Sequence, residues 1–353
     1  MSILSVCTGQ RRYVRRSAVM IGIMAGISSG ITACHPTVPA IALCEMKATP
    51  LIAETLHARF FGTTTIQIDD GRTAIMVDGF FSRPGLARLA LSTIVPVLTP
   101  DNSRIEAALR EGQVSHLDAV LVAHSHYDHA MDSAVVAELK GADLIGSHST
   151  DNIGRGQRLP VNRRRTPAQN EDLKIDGFTI KLFNVPHSPD FWYSGEITNE
   201  LRPPAWISDY KMGGNYSFLF QHKLGNILVH PSANFVTGMY KEIKADVIFL
   251  SIGALESEDF AREYWREVVM GMATKPKLVI PIHWDDFFRP LDQPLLPLPY
   301  PLDNVKAGLE TVLDMATKDN VHVRFMPLFK ALNLIETANA LSVKPVLRRE
   351  CEE

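Results

Sequence analysis

The stretch that most constrains this chain runs from Leu117 to His129. Leu117 to Ala123 is apolar and rich in β-branched residues, the pattern of a buried strand. It runs straight into His124-Ser125-His126-Tyr127-Asp128-His129, which places four metal-capable side chains within six residues. Side chains alternate along an extended segment, so His124, His126 and Asp128 are expected on one side of the chain as it leaves the strand. His129 breaks that alternation and can reach a second point nearby. Imidazole and carboxylate are ligands that zinc, iron and manganese accept. Packing does not explain three histidines and an aspartate here, because burying them unpaired is costly.

His-Ser-His-Tyr-Asp-His resembles the H-x-H-x-D-H signature of the metallo-β-lactamase superfamily. That resemblance implies an αββα sandwich, in which two mixed sheets are flanked by helices. It also implies two metals. His187, at the end of the strand-like run Phe178 to Val185, fits the third histidine of the first metal, beside His124 and His126. His283, after the apolar run Lys277 to Ile282, fits the last histidine of the second metal, beside Asp128 and His129. The family commonly bridges its metals with an aspartate after the strand that here is Asn226 to His230. This chain reads His230-Pro231-Ser232-Ala233-Asn234, with Ser232 where the carboxylate is expected. The second metal is therefore expected to bind more weakly than the first, Ser232→Asp to strengthen it, and His230 is the first alternative bridge. Asp78 is expected behind the ligands, holding a histidine in its tautomer. His57, His116, His148, His222 and His322 are expected to be surface or packed residues.

The 353 residues, 46% of them hydrophobic, suffice for a sizeable core. The formal net charge is −3, and removing the four arginines of the first 33 residues takes it to −7, so no basic nucleic-acid-binding surface is expected. Those arginines, Arg11, Arg12, Arg15 and Arg16, precede a short apolar run and the sequence Ile31-Thr32-Ala33-Cys34. The pattern resembles a bacterial lipoprotein signal, so residues 1–33 are expected to direct export. Two acyl chains on Cys34 would then hold the protein on a membrane surface, periplasmic or extracellular. Cys44 and Cys351 lie far from the histidine motif, so no thiolate ligand is expected. In an exported chain the two could form a disulfide, although two cysteines alone do not establish one.

Residues 34–54 read as a linker, 55–335 as the catalytic domain and 336–353 as a tail. Leu56 to Phe61, Thr63 to Ile68 and Thr73 to Val77 read as strands. Helices are expected from Asn102 or Ser103 to Arg110, over Ala130 to Leu139, from Ser257 to about Met272 and over Asp303 to Thr317. Tyr216 to Phe220 and Asn226 to His230 read as a hairpin, Asp246 to Ser251 as a buried strand, and Val321 to Met326 as the last strand. The arginine-rich stretch Asn152 to Asn170 reads as a surface loop, and Ser188 to Gly214 as a long irregular one.

A bound metal lowers the pKa of a coordinated water to around 7, which gives a hydroxide nucleophile at neutral pH. Zinc is the expected metal, one ion or two, with Mn2+ or Fe2+ as alternatives, and Asp128 is expected to orient the nucleophile. The substrate is expected to be a small or lipid-like molecule with an ester-type bond, either a phosphodiester, as in a phospholipid, or a lactone. A β-lactam amide and a non-catalytic metal-binding lipoprotein stay open as alternatives. The proline-rich stretch Leu291 to Leu302 could form a lip of the cleft, or simply pack on the core.

Overall fold

The computed structural model describes residues 38, 44–50, 52, 54–189, 193–255 and 257–346. The leader-like segment 1–33, the Cys34 box and Cys351 lie outside the described residues.

Two seven-stranded sheets face each other. The first contains β1 (His57–Phe60), β2 (Ile66–Asp69), β3 (Ala74–Val77), β4 (Ala119–Leu121), β5 (Asp143–Ile145), β6 (Arg164–Arg165) and β14 (Ala331–Asn333), in the order β14-β1-β2-β3-β4-β5-β6. The second contains β7 (Asp172–Ile175), β8 (Phe178–Asn184), β9 (Tyr216–His222), β10 (Gly225–His230), β11 (Val247–Ser251), β12 (Leu278–Ile282) and β13 (His322–Val323), in the order β13-β12-β11-β10-β9-β8-β7. Both are mixed: each has antiparallel pairs at one side and parallel pairs at the other.

Strand alternation divides the apolar residues between two cores. Ile75 and Val77 of β3, with Ala119 and Leu121 of β4, point into the core shared with the second sheet. Their neighbours Ala74, Met76 and Val120 point the other way, into a core formed with the helices. Those helices are α1 (Leu86–Leu91), α2 (Asn102–Glu111), α3 (Tyr127–Ala130), α4 (Ser133–Lys140) and α5 (His148–Gly156). Helices α6 (Glu258–Trp265), α7 (Val305–Asp319) and α8 (Leu334–Ser342) accompany the second sheet. The result is the αββα sandwich.

Several local expectations are corrected. Thr63 to Thr65 form a tight turn, closed by the Thr65 N–H to Gly62 carbonyl bond, and β2 starts only at Ile66. Asp128 and His129 do not continue an extended segment. They sit on the single helical turn α3, so strand alternation orients only His124 and His126. The stretch from Asn152 is helical through Gly156, because Ser147 caps α5 by accepting from the Thr150 N–H. Four of its five arginines are paired or bonded to carbonyls. Arg155 pairs with Glu200, Arg164 with Asp151 and Arg165 with Glu171, while Arg163 donates to the Ala137 and Ala142 carbonyls.

Packing continues past both ends of the expected 55–335 domain. In the linker, Cys44 and Met46 are buried and Glu45 bridges to Phe325. Cys44 is disulfide-bonded, and the cysteine expected to join it, Cys351, lies outside the described residues. At the other end, β14 pairs with β1, and α8 crosses residue 335 to pack on β11 and β12. The proline-rich stretch is a packed loop. The Asp286 N–H bonds to the Leu296 carbonyl and the Leu298 N–H to the Trp284 carbonyl, which ties it to the residues just after His283.

Candidate metal centre

The ends of β4, β8 and β12 meet at one edge of the sandwich. Here His124, His126 and His187 form one cluster, and Asp128, His129 and His283 form another, each with its donor atoms within 4.8 Å of one another. In the first cluster His124 Nε2 lies 3.0 Å from His126 Nδ1 and 3.2 Å from His187 Nε2. In the second, Asp128 Oδ2 lies 3.6 Å from both His129 Nε2 and His283 Nε2. Tetrahedral ligands on bonds of about 2.0–2.1 Å stand roughly 3.3–3.5 Å apart, so both sets are close to coordination spacing. The His124 and His129 rings have centroids 3.8 Å apart, which makes the clusters immediate neighbours. His124 and His129 lie buried at the base. His187 and His283, brought by the second sheet, are partly exposed at the mouth.

Burial, with the neighbouring imidazoles, pushes His124 well below the ordinary histidine range. Burial also pushes His187 down to about 3 and His126 to about 4, the latter against the pull of Asp128. Neutral imidazoles are the form that binds metal. Burial opposes ionisation of Asp128, yet His129 and His283 outweigh it and hold the carboxyl far below its usual range. Burial likewise opposes protonation of His129, but Asp78 and Asp128 outweigh it and raise its pKa.

A divalent cation fits each donor set. The donors are nitrogen and oxygen only. Three imidazole nitrogens facing one another at 3.0–3.2 Å cannot each be satisfied by shared protons, and a cation would satisfy all of them at once.

Asp78 stands directly behind His129. Its Oδ2 lies 2.8 Å from His129 Nδ1 and accepts from the Thr64 hydroxyl at 2.5 Å, while Oδ1 accepts from the Ala123 N–H at 2.8 Å. A carboxylate only accepts, so the imidazole proton sits on Nδ1 and leaves Nε2 facing Asp128. Asp78 adopts a left-handed backbone (φ 60°), a conformation aspartate tolerates better than most residues.

Two residues singled out around the missing bridge are engaged by other partners. The Ser232 hydroxyl donates to Asn215 Oδ1 at 3.0 Å. His230 is buried, with Nε2 donating to the Asn234 carbonyl and Nδ1 beside the Ser217 and Tyr240 hydroxyls. Burial pushes His230 down to about 4, despite the Asn234 carbonyl. His230 belongs to neither cluster.

The segment around Ser232 instead holds the His187 loop. Asn215 Nδ2 donates to the Val185 and Pro186 carbonyls, and Asn234 Nδ2 to the His187 carbonyl. Sequence reading missed Asn215, Asn234, Thr64, Arg83 and Asp285. The last sits two residues after His283, and that adjacency was its one available signal.

The chain matches the model of the beta-lactamase superfamily domain over residues 74–284, more than half its length. It is 22% identical over 177 residues to a UPF0173 metal-dependent hydrolase of Roseiflexus castenholzii, an alignment covering 48% of this chain and 65% of that one. The chain thus spans just under two thirds of that relative. A UPF0173 metal-dependent hydrolase of Staphylococcus aureus (strain JH9) is 21% identical over 250 residues, covering 65% of this chain and 85% of the relative. A diiron β-hydroxylase from Streptomyces venezuelae shares the fold, with a TM-score of 0.50 at 14% identity over 81% of this chain and 55% of the other. The sheet order, the six converging donors and the family match lead to one assignment: the chain belongs to the metallo-β-lactamase superfamily.

Proposed function

We propose that the protein is a metal-dependent hydrolase of an ester-type bond. In this reading it holds one divalent cation on His124, His126 and His187 and another on Asp128, His129 and His283, with zinc the first candidate. The observation that carries the proposal is the adjacency of two nitrogen-and-oxygen donor sets at the open edge of the sandwich. The naming of both relatives as metal-dependent hydrolases supports it.

When bound, the cations supply Lewis acidity and make a water nucleophilic near neutral pH. The chain's own groups do the rest. Asp128 turns Oδ2 toward two imidazoles, which leaves Oδ1 to orient the attacking water. Asp78 and Thr64 fix the His129 tautomer. Phe287, packed edge-on against His283, gives the mouth of the site an apolar wall. The buried Arg83 guanidinium is committed to Asp285, and the arginines of α5 and β6 to the acids and carbonyls beside them. A wall of this kind favours an uncharged acyl ester or lactone, or a lipid phosphodiester, over a polyanion.

The test is turnover of an acyl lactone, bis(4-nitrophenyl) phosphate and a cephalosporin by metal-loaded protein, with and without chelator. Chelator-sensitive cleavage of either of the first two supports the reading. Cleavage of the cephalosporin alone points to a β-lactamase, and bound metal with no turnover points to a metal-binding lipoprotein. The proposal includes export with Cys34 lipidated. Intact-mass analysis of membrane-fraction protein tests that part, and a soluble product retaining Met1 would end it.

A further inference from the structure

The second donor set is assembled from both sheets. Asp128 and His129 come from the turn after β4, and His283 arrives alone from the end of β12. The site therefore spans the gap between the sheets, and a shift of one sheet against the other would move His283 relative to its partners. A buried device crosses that gap. Arg83, in the loop after β3, is fully buried, and its Nη2 lies 2.7 Å from Asp285 Oδ2 and 3.2 Å from Thr63 Oγ1. Its Nη1 faces the Asp286 and Arg289 carbonyls, at 3.4 and 3.5 Å. Asp285 Oδ1 accepts from the Thr63 N–H at 2.7 Å, and the Thr63 carbonyl accepts from the His283 N–H at 2.7 Å. One guanidinium, one carboxylate and one peptide thus connect the β1–β2 turn, the β3–α1 loop and the metal-end loop of β12.

The backbone at these points is held against its preference. Thr63 (φ 52°), Arg83 (φ 41°) and His283 (φ 57°) are all left-handed, and a β-branched threonine in that region is a genuine outlier. Such conformations persist only where the surroundings over-determine them. Space is closed as well. A Cβ on Gly62 would lie 2.0 Å from Arg83 Nη2, and one on Gly253 would lie 2.4 Å from the His283 carbonyl oxygen. The His283 backbone is thus tied to Thr63 and closely packed against Gly253.

We infer that Arg83, Asp285 and Thr63 are positioning residues for His283: a buried clamp that sets the geometry of the second metal site across the two sheets. The inference rests on the reading of Asp128, His129 and His283 as a metal site. Arg83→Lys keeps the charge beside Asp285 but cannot reach Thr63, Asp286 and Arg289 together. Removing support from behind a metal ligand typically lowers affinity about 10–100-fold.

The experiment is a Co2+ titration of metal-free protein, resolving the two equivalents by visible absorption, run with amide hydrogen exchange at His283. Leu309→Ala, on α7 in the core of the second sheet, serves as the control for lost stability alone. The expected result for Arg83→Lys is a 10–100-fold weaker second equivalent, an unchanged first equivalent, and His283 amide exchange accelerated about tenfold. In Leu309→Ala the ratio between the two equivalents should stay as in wild type. Wild-type affinity for both equivalents with unchanged His283 exchange in Arg83→Lys overturns the clamp. So does an equal weakening of both equivalents. A wild-type protein that takes up no Co2+ would sink the metal reading, and His283 exchange in Arg83→Lys would then decide the clamp by itself.

Discussion

Replacing Asp78 by asparagine isolates the proton on His129 from almost everything else. Asparagine is close to isosteric and tolerates the φ of 60° at this position, so the backbone has no reason to move. The Ala123 N–H, fixed at the end of a buried strand, needs an acceptor 2.8 Å away and keeps the amide oxygen facing it. The amide NH2 then takes the place of Oδ2, 2.8 Å from His129 Nδ1. Two donors cannot face each other, so the imidazole proton is driven to Nε2, the nitrogen that faces Asp128. A protonated Nε2 cannot bind a metal. The cost to the second site is set by the tautomer energy and by the Thr64 hydroxyl, which loses its carboxylate acceptor.

Losses of this kind weaken metal binding by about 10–100-fold, or roughly 1.4–2.8 kcal/mol. The Thr64 hydroxyl keeps a second acceptor in His129 Nδ1, 3.0 Å away, so folding stability should change by about 1 kcal/mol or less. The assay is a competition titration with a chelator, resolving two equivalents, together with 15N NMR of the His129 ring. The expected outcome is a weakened second equivalent, an intact first one and a proton on Nε2. Wild-type binding of both equivalents, with the proton still on Nδ1, would refute the reasoning.

The remaining predictions address the other supports. His126→Ala should lose the metal of the three-histidine set and most hydrolytic activity; full occupancy by elemental analysis would contradict the assignment. Ser232→Asp, expected from sequence to strengthen the second metal, is now expected to do harm. Its carboxylate would face Asn215 Oδ1, turn that amide and release the Val185 and Pro186 carbonyls, so a lower melting temperature and weaker binding at His187 should follow. His230 is buried neutral with its pKa pushed to about 4, so from about pH 6.5 down to 4 the unfolded chain takes a proton that the folded one refuses. Stability should therefore fall with pH across that window, by up to about 3 kcal/mol from this residue. Denaturant unfolding at pH 7 and pH 4.5 should show a smaller drop in His230→Gln than in wild type.

Much of the site was legible because its chemistry is local. Three of the six donors fall in His124-Ser125-His126 and His129, and Asp128 sits between them. His187 and His283 each end a recognisable buried strand. Their supports were not legible, because they act across the fold. Asn215 reaches Val185 from 30 residues away, and Arg83 reaches Asp285 from 202. No spacing rule links such pairs, and a buried arginine looks like any other in a sequence. The secondary-structure misses have a similar cause. The turn at Thr63 to Thr65 reads as strand because threonine favours strands, and tertiary bonds to Asp285 and Asp78 override that preference. The helix from Leu334 was absorbed into a presumed tail because its stabilisation comes from packing on β11 and β12 rather than from a cap.

The most direct test of the central claim is anomalous diffraction at the metal absorption edge from crystals of metal-loaded protein. The account predicts two peaks about 3.5–4 Å apart. One should lie about 2.0–2.2 Å from His124 Nε2, His126 Nδ1 and His187 Nε2, and the other at the same range from Asp128, His129 Nε2 and His283 Nε2. No peak at either set, or full peaks bound elsewhere on the chain, would contradict it.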